Sequence, residues 1–299
     1  MNAPTNATPQ RQHVDIVTWN VQWFCGLDEQ VDVDRVVAHA KAFCDFDVLC
    51  LQEVAVDYPE MPGNAGFDQP ARVREALGPD YEVLFAPAVD ELGAHGRRQQ
   101  FGNLLATRLP AALVQRLALP WPADGEAMSM PRVCLSATIG GPFGPLRVMT
   151  THLEYYSKRQ RMAQAMRCAT CTRRPASAPP RRRSTRPTAA LSAASRTPRA
   201  RFFAATSTSK RTSPSSPRCK ARSRRRCRAW PTRGRACIPG SRRRRRSRLF
   251  DRRYGPDPIA CDFFFVSTDL LSGVQRFEID SDTRLSDHQP MWLRLGPPA

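Results

Sequence analysis

The chain has 299 residues and a formal net charge of +19, and this length is enough for one large hydrophobic core. No apolar run approaches the length of a membrane span and the first residues are polar, so we expect a soluble, cytoplasmic monomer without a membrane span. Ten cysteines at irregular spacings in so long a chain predict reduced thiols and argue against a small disulfide-rich scaffold.

The positive charge is confined to one tract, residues 168–249. This tract holds 26 Lys and Arg and no Asp or Glu, so the rest of the chain has 20 basic against 27 acidic residues, a net charge of −7. A strongly basic chain often binds nucleic acid. Here only the tract is strongly basic, and the sequence on either side of it is mildly acidic.

Residues 1–13 are polar and are expected to form a disordered tail, and a folded domain begins at residue 14. Its strands are predicted by short apolar runs and its helices by apolar residues at helical spacing. In chain order the predicted elements are the strand "VDIVTWNVQWF", the helix "VDVDRVVAHAKAFC", the strand "FDVLCLQEV", the helix "ARVREALG", the strands "YEVLFAP", "FGNLLATR", "AALVQRLAL", "RVCLSATI" and "LRVMTTHLEYY", and a helix that starts at "SKRQRMAQAM". This order predicts a layered α/β or α+β domain with two packed sheets.

The basic tract interrupts this pattern. Residues 168–249 contain no Val, Met, Tyr, Asn, Gln, His, Asp or Glu, and they show no hydrophobic period. Such a composition cannot bury enough apolar surface to offset the entropy of ordering the chain, so we expect the tract to be disordered. Three more strands are predicted from residue 250 onward. Residues 14–167 and 250–299 are therefore expected to be two parts of one domain that still pack together.

Polar side chains stand where the apolar strands stop. They are Asn20 and Gln22 after the first strand, Glu53 at the end of the second, His152 after "RVMTT", Asp262 before "FFFVS", and Asp287 with His288 after "TRLS". Any one of them alone would most often be a turn residue or a structural histidine. Their recurrence on separate strands indicates a single polar pocket, because strand ends at one edge of a sandwich converge. Oxygen ligands suit Mg²⁺, and a His–Asp pair could orient a water or stabilise charge on a phosphoryl group.

Six motifs occur in a characteristic order along the chain: "IVTWNVQ", "DVLCLQEV", "FGNLLATR", "VMTTHLE", "ACDFFFVS" and "LSDHQPM". Together they resemble the endonuclease/exonuclease/phosphatase (DNase-I-like) family over residues 14–166 and 250–299. The resemblance implies a four-layer α/β sandwich, with two packed mixed sheets flanked by helices. It also implies a hydrolase that cleaves phosphoester bonds with Mg²⁺ or Mn²⁺. Nothing in the residues chooses among nucleic acid, a phospholipid head group and an inositol phosphate as the substrate.

The resemblance also implies a role for each matching residue. Glu53 is expected to be the principal metal ligand, with Asn20 and Asp287 in the same metal pocket. His152 is expected to contact the scissile phosphate, and His288, oriented by Asp262, to stabilise its developing charge. The substrate-binding candidates are Gln22 and Asn103.

One family motif, Gly-Asp-(Phe)-Asn, is missing, and the interval where it belongs is the basic tract. The family uses its Asp and Asn to position the nucleophile and the phosphate. When codons are read from the third base of each existing codon, residues 167–175 can spell LRDLHAEA and residues 204–210 can spell GDFNFE. We therefore interpret the tract as a frameshifted reading that a second shift near Leu249 corrects, and we expect little or no activity from the chain as written.

Two other interpretations take the tract at face value. It could be a disordered basic arm that binds phosphate backbones and tethers a nuclease-like domain to nucleic acid without catalysis. Its few aromatic residues, Phe202, Phe203 and Trp230, would supply little base stacking. Alternatively, the domain could be a non-catalytic scaffold with a degraded site.

Overall fold

The computed structural model describes residues 11–94, 96–125, 127–171, 201–207, 235–238, 250 and 261–299. The strands in this part of the chain are β1 (Val14–Asn20), β2 (Val48–Val56), β3 (Glu82–Leu92), β4 (Arg98–Thr107), β5 (Ala111–Ala118), β6 (Val133–Gly141), β7 (Gly144–His152), β8 (Arg201–Ser207), β9 (Arg235–Ile238), β10 (Asp262–Ser267), β11 (Val274–Ile279) and β12 (Met291–Leu295). The helices are α1 (Val33–Phe43), α2 (Gln69–Leu77) and α3 (Lys158–Cys171).

The strands form two six-stranded sheets. The first has the order β11-β12-β1-β2-β4-β3, and the second has the order β5-β6-β7-β8-β10-β9. Each sheet is mixed, because β1 runs parallel to β2 and β7 runs parallel to β8, while the other pairs are antiparallel. The prediction of two mixed sheets is confirmed, and so is the prediction of three strands after residue 250.

The central strands β1 and β2 of the first sheet are buried on both faces, which explains why their sequences are largely apolar. On β2, Val48 and Cys50 pack into the core between the sheets, whereas the alternate residues Leu49 and Leu51 pack against α1 and α2. On the far side of the second sheet, Cys168 of α3 packs in a smaller cluster with residues of β6 and β7. The layers are therefore helix, sheet, sheet and helix, as the family resemblance implied.

Helix starts follow ordinary capping chemistry. Asp32 precedes α1 and accepts a hydrogen bond from the backbone N–H of Arg35, and Asp68 precedes α2 and accepts one from Ala71. Gly78 ends α2 with a φ of 87°, a left-handed conformation that glycine adopts readily. All three helices lie where the apolar spacing predicted them.

The boundary predicted at residue 167 needs correction, because α3 continues to Cys171. Two further segments of the basic tract, β8 and β9, are paired with the second sheet, although the composition predicted no regular structure there. The rest of the expected disordered tract lies outside the described residues, as do residues 1–10 of the expected tail. Among the described residues, no helix is long and apolar enough to cross a membrane.

Candidate active site

Glu53 lies on a β-bulge of β2. The pairing with β4 passes from Gln52 opposite Asn103 to Val54 opposite Gly102, so Glu53 is the extra residue of the bulge. Its φ is 62°, in the left-handed region that side-chain-bearing residues rarely adopt. A Cβ added at Gly102, across from the bulge, would clash with the carbonyl oxygen of Ala86 on β3. The glycine of "FGN" therefore lets three strands approach closely where Glu53 is presented.

Asn20, Glu53 and His152 form one chain of contacts. The amide nitrogen of Asn20 donates to Glu53 Oε1 at 2.7 Å, and its amide oxygen accepts from the backbone N–H of Gln22 at 3.1 Å. Glu53 Oε1 lies 3.6 Å from His152 Nδ1. The side chains of Glu53 and His152 are 16% and 14% exposed, so both are reachable from solvent. The structure thus brings together three of the residues predicted from separate strands.

Arg132, which the sequence analysis did not single out, holds His152 from the other side. Its Nη1 lies 3.1 Å from His152 Nδ1, and its Nε and Nη2 both donate to Glu154 Oε2 at 3.3 Å. A guanidinium can only donate, so His152 Nδ1 is the acceptor and the ring proton sits on Nε2. His152 can therefore donate a hydrogen bond from Nε2. The sequence signal for this ion pair was a charged residue next to a buried strand, Arg132 in "PRVC" and Glu154 in "THLE".

His288 and Asp262 form the second group. His288 Nδ1 lies 2.7 Å from Asp262 Oδ2, and Asp287 Oδ1 lies 3.9 Å from His288 Nε2. Burial alone would lower the pKa of His288, but the negative charge of Asp262, with a further contribution from Asp287, raises this pKa well above its usual range. His288 is therefore held as an imidazolium with its Nδ1 proton directed at Asp262.

The two groups are tied together at the end of β1. Ser286 donates from its hydroxyl to the backbone carbonyl of Asn20 at 2.7 Å, and it accepts from the backbone N–H of His288 at 3.1 Å. Trp19 Nε1 donates to the carbonyl of His288 at 2.9 Å. These bonds dock the "SDH" segment against the strand that carries Asn20, so the serine of this motif has a structural role.

The two predicted substrate-binding residues have different surroundings. Asn103 lines a small cleft with Glu53, Arg132 and His152, but its amide nitrogen is bound to the carbonyl of Val133 at 2.9 Å. Gln22 is buried and begins a turn with a φ of 46°. Its described contact with the site is through its backbone N–H.

The end of β8 lies between the strands that carry the two groups. In the sheet register, Ser207 is opposite His152 of β7 on one side and opposite Asp262 of β10 on the other. The interval that can spell GDFNFE, residues 204–210, therefore starts inside β8. Residues 208–210 of the interval lie outside the described part of the chain.

The three-dimensional fold matches known structures closely enough to classify it. An endonuclease/exonuclease/phosphatase from Beutenbergia cavernae is 20% identical with a TM-score of 0.63, and the match covers 97% of this chain and 72% of that chain. A humanized D. rerio TDP2 is 14% identical with a TM-score of 0.56, covering 96% and 100%. The Bacteroides thetaiotaomicron mannosyl-6-phosphatase Bt3783 is 13% identical with a TM-score of 0.55, covering 94% and 98%.

Sequence comparison adds nothing to this. No protein-family model matches the chain, and no curated protein matches it. The chain has the endonuclease/exonuclease/phosphatase (DNase-I-like) fold, as its ordered motifs predicted.

Proposed function

We propose that this fold is that of a phosphoesterase that hydrolyses phosphodiester or phosphomonoester bonds with Mg²⁺ or Mn²⁺. The observation that carries the proposal is the pair of histidines, each hydrogen-bonded to a charged partner, of which His152 lies beside the bulged carboxylate of Glu53. Left-handed backbone at a residue with a side chain is a feature of functional sites.

The donor set fits a hard divalent cation. Glu53 and Asp287 offer carboxylate oxygens, which Mg²⁺ and Mn²⁺ prefer. We assign Asn20 to this pocket mainly as the group that orients Glu53, because both ends of its amide are engaged within the protein. When bound, the cation would supply Lewis-acid stabilisation of charge on the phosphoryl oxygens.

The protein side chains have separate tasks in this proposal. His152 donates from Nε2 to a phosphate oxygen, and Arg132 fixes the tautomer that makes this possible. His288, as an imidazolium backed by Asp262, stabilises the negative charge that develops on the phosphoryl group. We assign Gln22 and Asn103 to substrate binding on the side of the pocket that faces the phosphate ester.

We propose that the chain as written is impaired. The nucleophile-positioning Asp and Asn of the family motif have no counterpart in it, and losing one preorganised group commonly costs about 10²–10³ in rate. The register of β8 supports the frameshift interpretation, because the interval that can spell GDFNFE begins in the strand between His152 and Asp262. We call the protein translated in the shifted frame between codons 167 and 249 the frame-corrected chain.

The similar structures leave the substrate class broad. One D. rerio TDP2 structure holds a single-strand DNA product, and Bt3783 is a mannosyl-6-phosphatase. A phosphodiester and a phosphomonoester therefore both belong in the first assay. We also propose that the protein is a cytoplasmic monomer.

The experiment uses the frame-corrected chain with bis(p-nitrophenyl) phosphate and p-nitrophenyl phosphate, with Mg²⁺ or with a chelator. We expect hydrolysis that needs the cation, and a loss of about 100-fold or more in Glu53→Gln. Glu75→Gln, on the exposed surface of α2, is the matched control and should retain activity. Hydrolysis that survives both the chelator and Glu53→Gln would overturn the proposal.

The alternative function, binding of nucleic acid by a basic arm, rests on the 26 Lys and Arg of residues 168–249. If the arm is the functional part, the chain as written should bind single-stranded DNA, and high salt should abolish that binding. Glu53→Gln would then leave binding unchanged.

A further inference from the structure

Cys261 lies beside the His–Asp pair. Its Sγ is 3.7 Å from Asp262 Oδ2 and 3.7 Å from His288 Nδ1, which are themselves 2.7 Å apart. Cys261 is 2% exposed. Among the described residues, these three form a cluster whose ligand atoms all lie within 4.8 Å of one another.

The chemistry of this cluster differs from that of the Glu53 pocket. A thiolate, an imidazole and a carboxylate are ligands of Zn²⁺ and of softer thiophilic cations, whereas Mg²⁺ takes oxygen ligands. Zinc bond lengths in a tetrahedral site place neighbouring ligand atoms about 3.3–3.5 Å apart. The two sulfur distances are close to this spacing, and the His288–Asp262 distance must widen by about 0.6 Å.

We propose that Cys261, Asp262 and His288 form a second cation site, selective for thiophilic divalent ions such as Zn²⁺ and Cd²⁺. The ion forms bonds to Sγ, Oδ2 and Nδ1. The thiol proton and the proton shared by His288 and Asp262 leave to solvent, and no electron is transferred. A water completes the tetrahedron, as in open zinc sites.

Occupation of this site has a consequence for hydrolysis, and this consequence alone rests on the proposed function. The ion takes the place of the hydrogen bond that orients His288, so the imidazole is no longer held by Asp262 alone. Zn²⁺ should therefore inhibit hydrolysis while Mg²⁺ supports it, because the two ions occupy different pockets.

Binding is tested first, on the full chain as written. Cd²⁺ is titrated in while the thiolate-to-Cd²⁺ charge-transfer absorption is recorded, and Cys261→Ala is compared with Cys25→Ala, another buried thiol away from the cluster. We expect Cys261→Ala to lose one equivalent of tight Cd²⁺ binding, with at least about tenfold weaker affinity. Cys25→Ala should retain it, and excess Zn²⁺ should displace the Cd²⁺.

Identical titrations of the wild type and Cys261→Ala would overturn the proposal. Thermal melts show whether both variants fold, and Cys261→Ser, which keeps the side-chain volume, replaces Cys261→Ala if the latter does not. Inhibition is tested second, on the frame-corrected chain in saturating Mg²⁺, where Zn²⁺ should inhibit the wild type at least tenfold more strongly than Cys261→Ala. Loss of the Cd²⁺ equivalent without any hydrolysis in the frame-corrected chain would contradict the proposed function and leave the cation site standing.

Discussion

Asp262 and His288 are 26 residues apart in the chain, and their side chains meet at 2.7 Å. Asp262 begins β10 of the second sheet, and His288 lies in the loop before β12 of the first. The contact therefore joins the two sheets, and it depends on both being assembled.

Asp262→Asn keeps the shape of the side chain and removes the charge that holds His288 as an imidazolium. In the frame-corrected chain we expect kcat for phosphate-ester hydrolysis to fall by about 10²–10⁴-fold, the range associated with acid–base groups. Asp269→Asn, an exposed acid in the turn after β10, is the control and should leave kcat unchanged. Equal rates for Asp262→Asn and the wild type would show that the charge of Asp262 does not contribute to hydrolysis.

At position 53 we expect the glycine variant to be more stable than the alanine variant, which is the reverse of the usual order in a strand. Its φ of 62° costs a side-chain-bearing residue about 1–2 kcal/mol that glycine avoids. Both Glu53→Ala and Glu53→Gly lose the carboxylate, so their difference isolates the backbone. We expect urea unfolding to give Glu53→Gly the higher free energy of unfolding by about 1 kcal/mol.

A neighbouring position in the same strand provides the comparison. Ala55→Gly should lower the free energy of unfolding by about 0.5–1 kcal/mol, which is the ordinary order for a strand. If Glu53→Gly is also less stable than Glu53→Ala, the bulge does not hold residue 53 in a strained conformation.

Arg132 and Glu154 form a buried ion pair, with side chains 8% and 0% exposed. Arg132→Met leaves the Glu154 carboxylate buried without its cation, and we expect the free energy of unfolding to fall by about 3–5 kcal/mol. The double variant Arg132→Met/Glu154→Gln removes both charges and should recover a large part of this loss. Equal destabilisation in the single and double variants would show that packing, rather than charge, is what Arg132 contributes.

Because thiols are buried in the folded protein, we expect the protein to lose stability at alkaline pH. Burial raises the pKa of Cys44 to about 12, with a further increase from the charge of Asp15. The unfolded chain therefore releases this thiol proton at lower pH than the folded chain, and the free energy of unfolding falls as pH rises from about 9. Cys44→Ala should decline less steeply than the wild type between pH 9 and 11 in urea melts. Parallel curves would contradict the predicted shift.

Much of the fold could be predicted because its strands contain short runs of apolar residues. β1 and β2 are buried on both faces, and their largely apolar sequences indicate this. Glu53 and His288 were found through short motifs whose order along the chain carries more information than any one of them.

Other features depend on the third dimension. Arg132 precedes β6, and only the pairing of β6 with β7 brings it to His152. The bulge at Glu53 is a backbone conformation that the residue types in the sequence do not predict. Cys261 directly precedes an apolar strand, and only the three-dimensional fold brings it beside both Asp262 and His288. β8 was not predicted, because the tract's composition lacks the apolar period on which strand prediction depends.

We propose that one phosphoesterase site is split between the written sequence and a shifted reading of residues 168–249. The direct measurement is Mg²⁺-dependent release of p-nitrophenol from bis(p-nitrophenyl) phosphate by the chain as written and by the frame-corrected chain, purified in parallel. We expect hydrolysis by the frame-corrected chain that Glu53→Gln abolishes, and at least about 100-fold less hydrolysis from the chain as written. Equal rates from the two chains, or no hydrolysis by a folded frame-corrected chain, would contradict it.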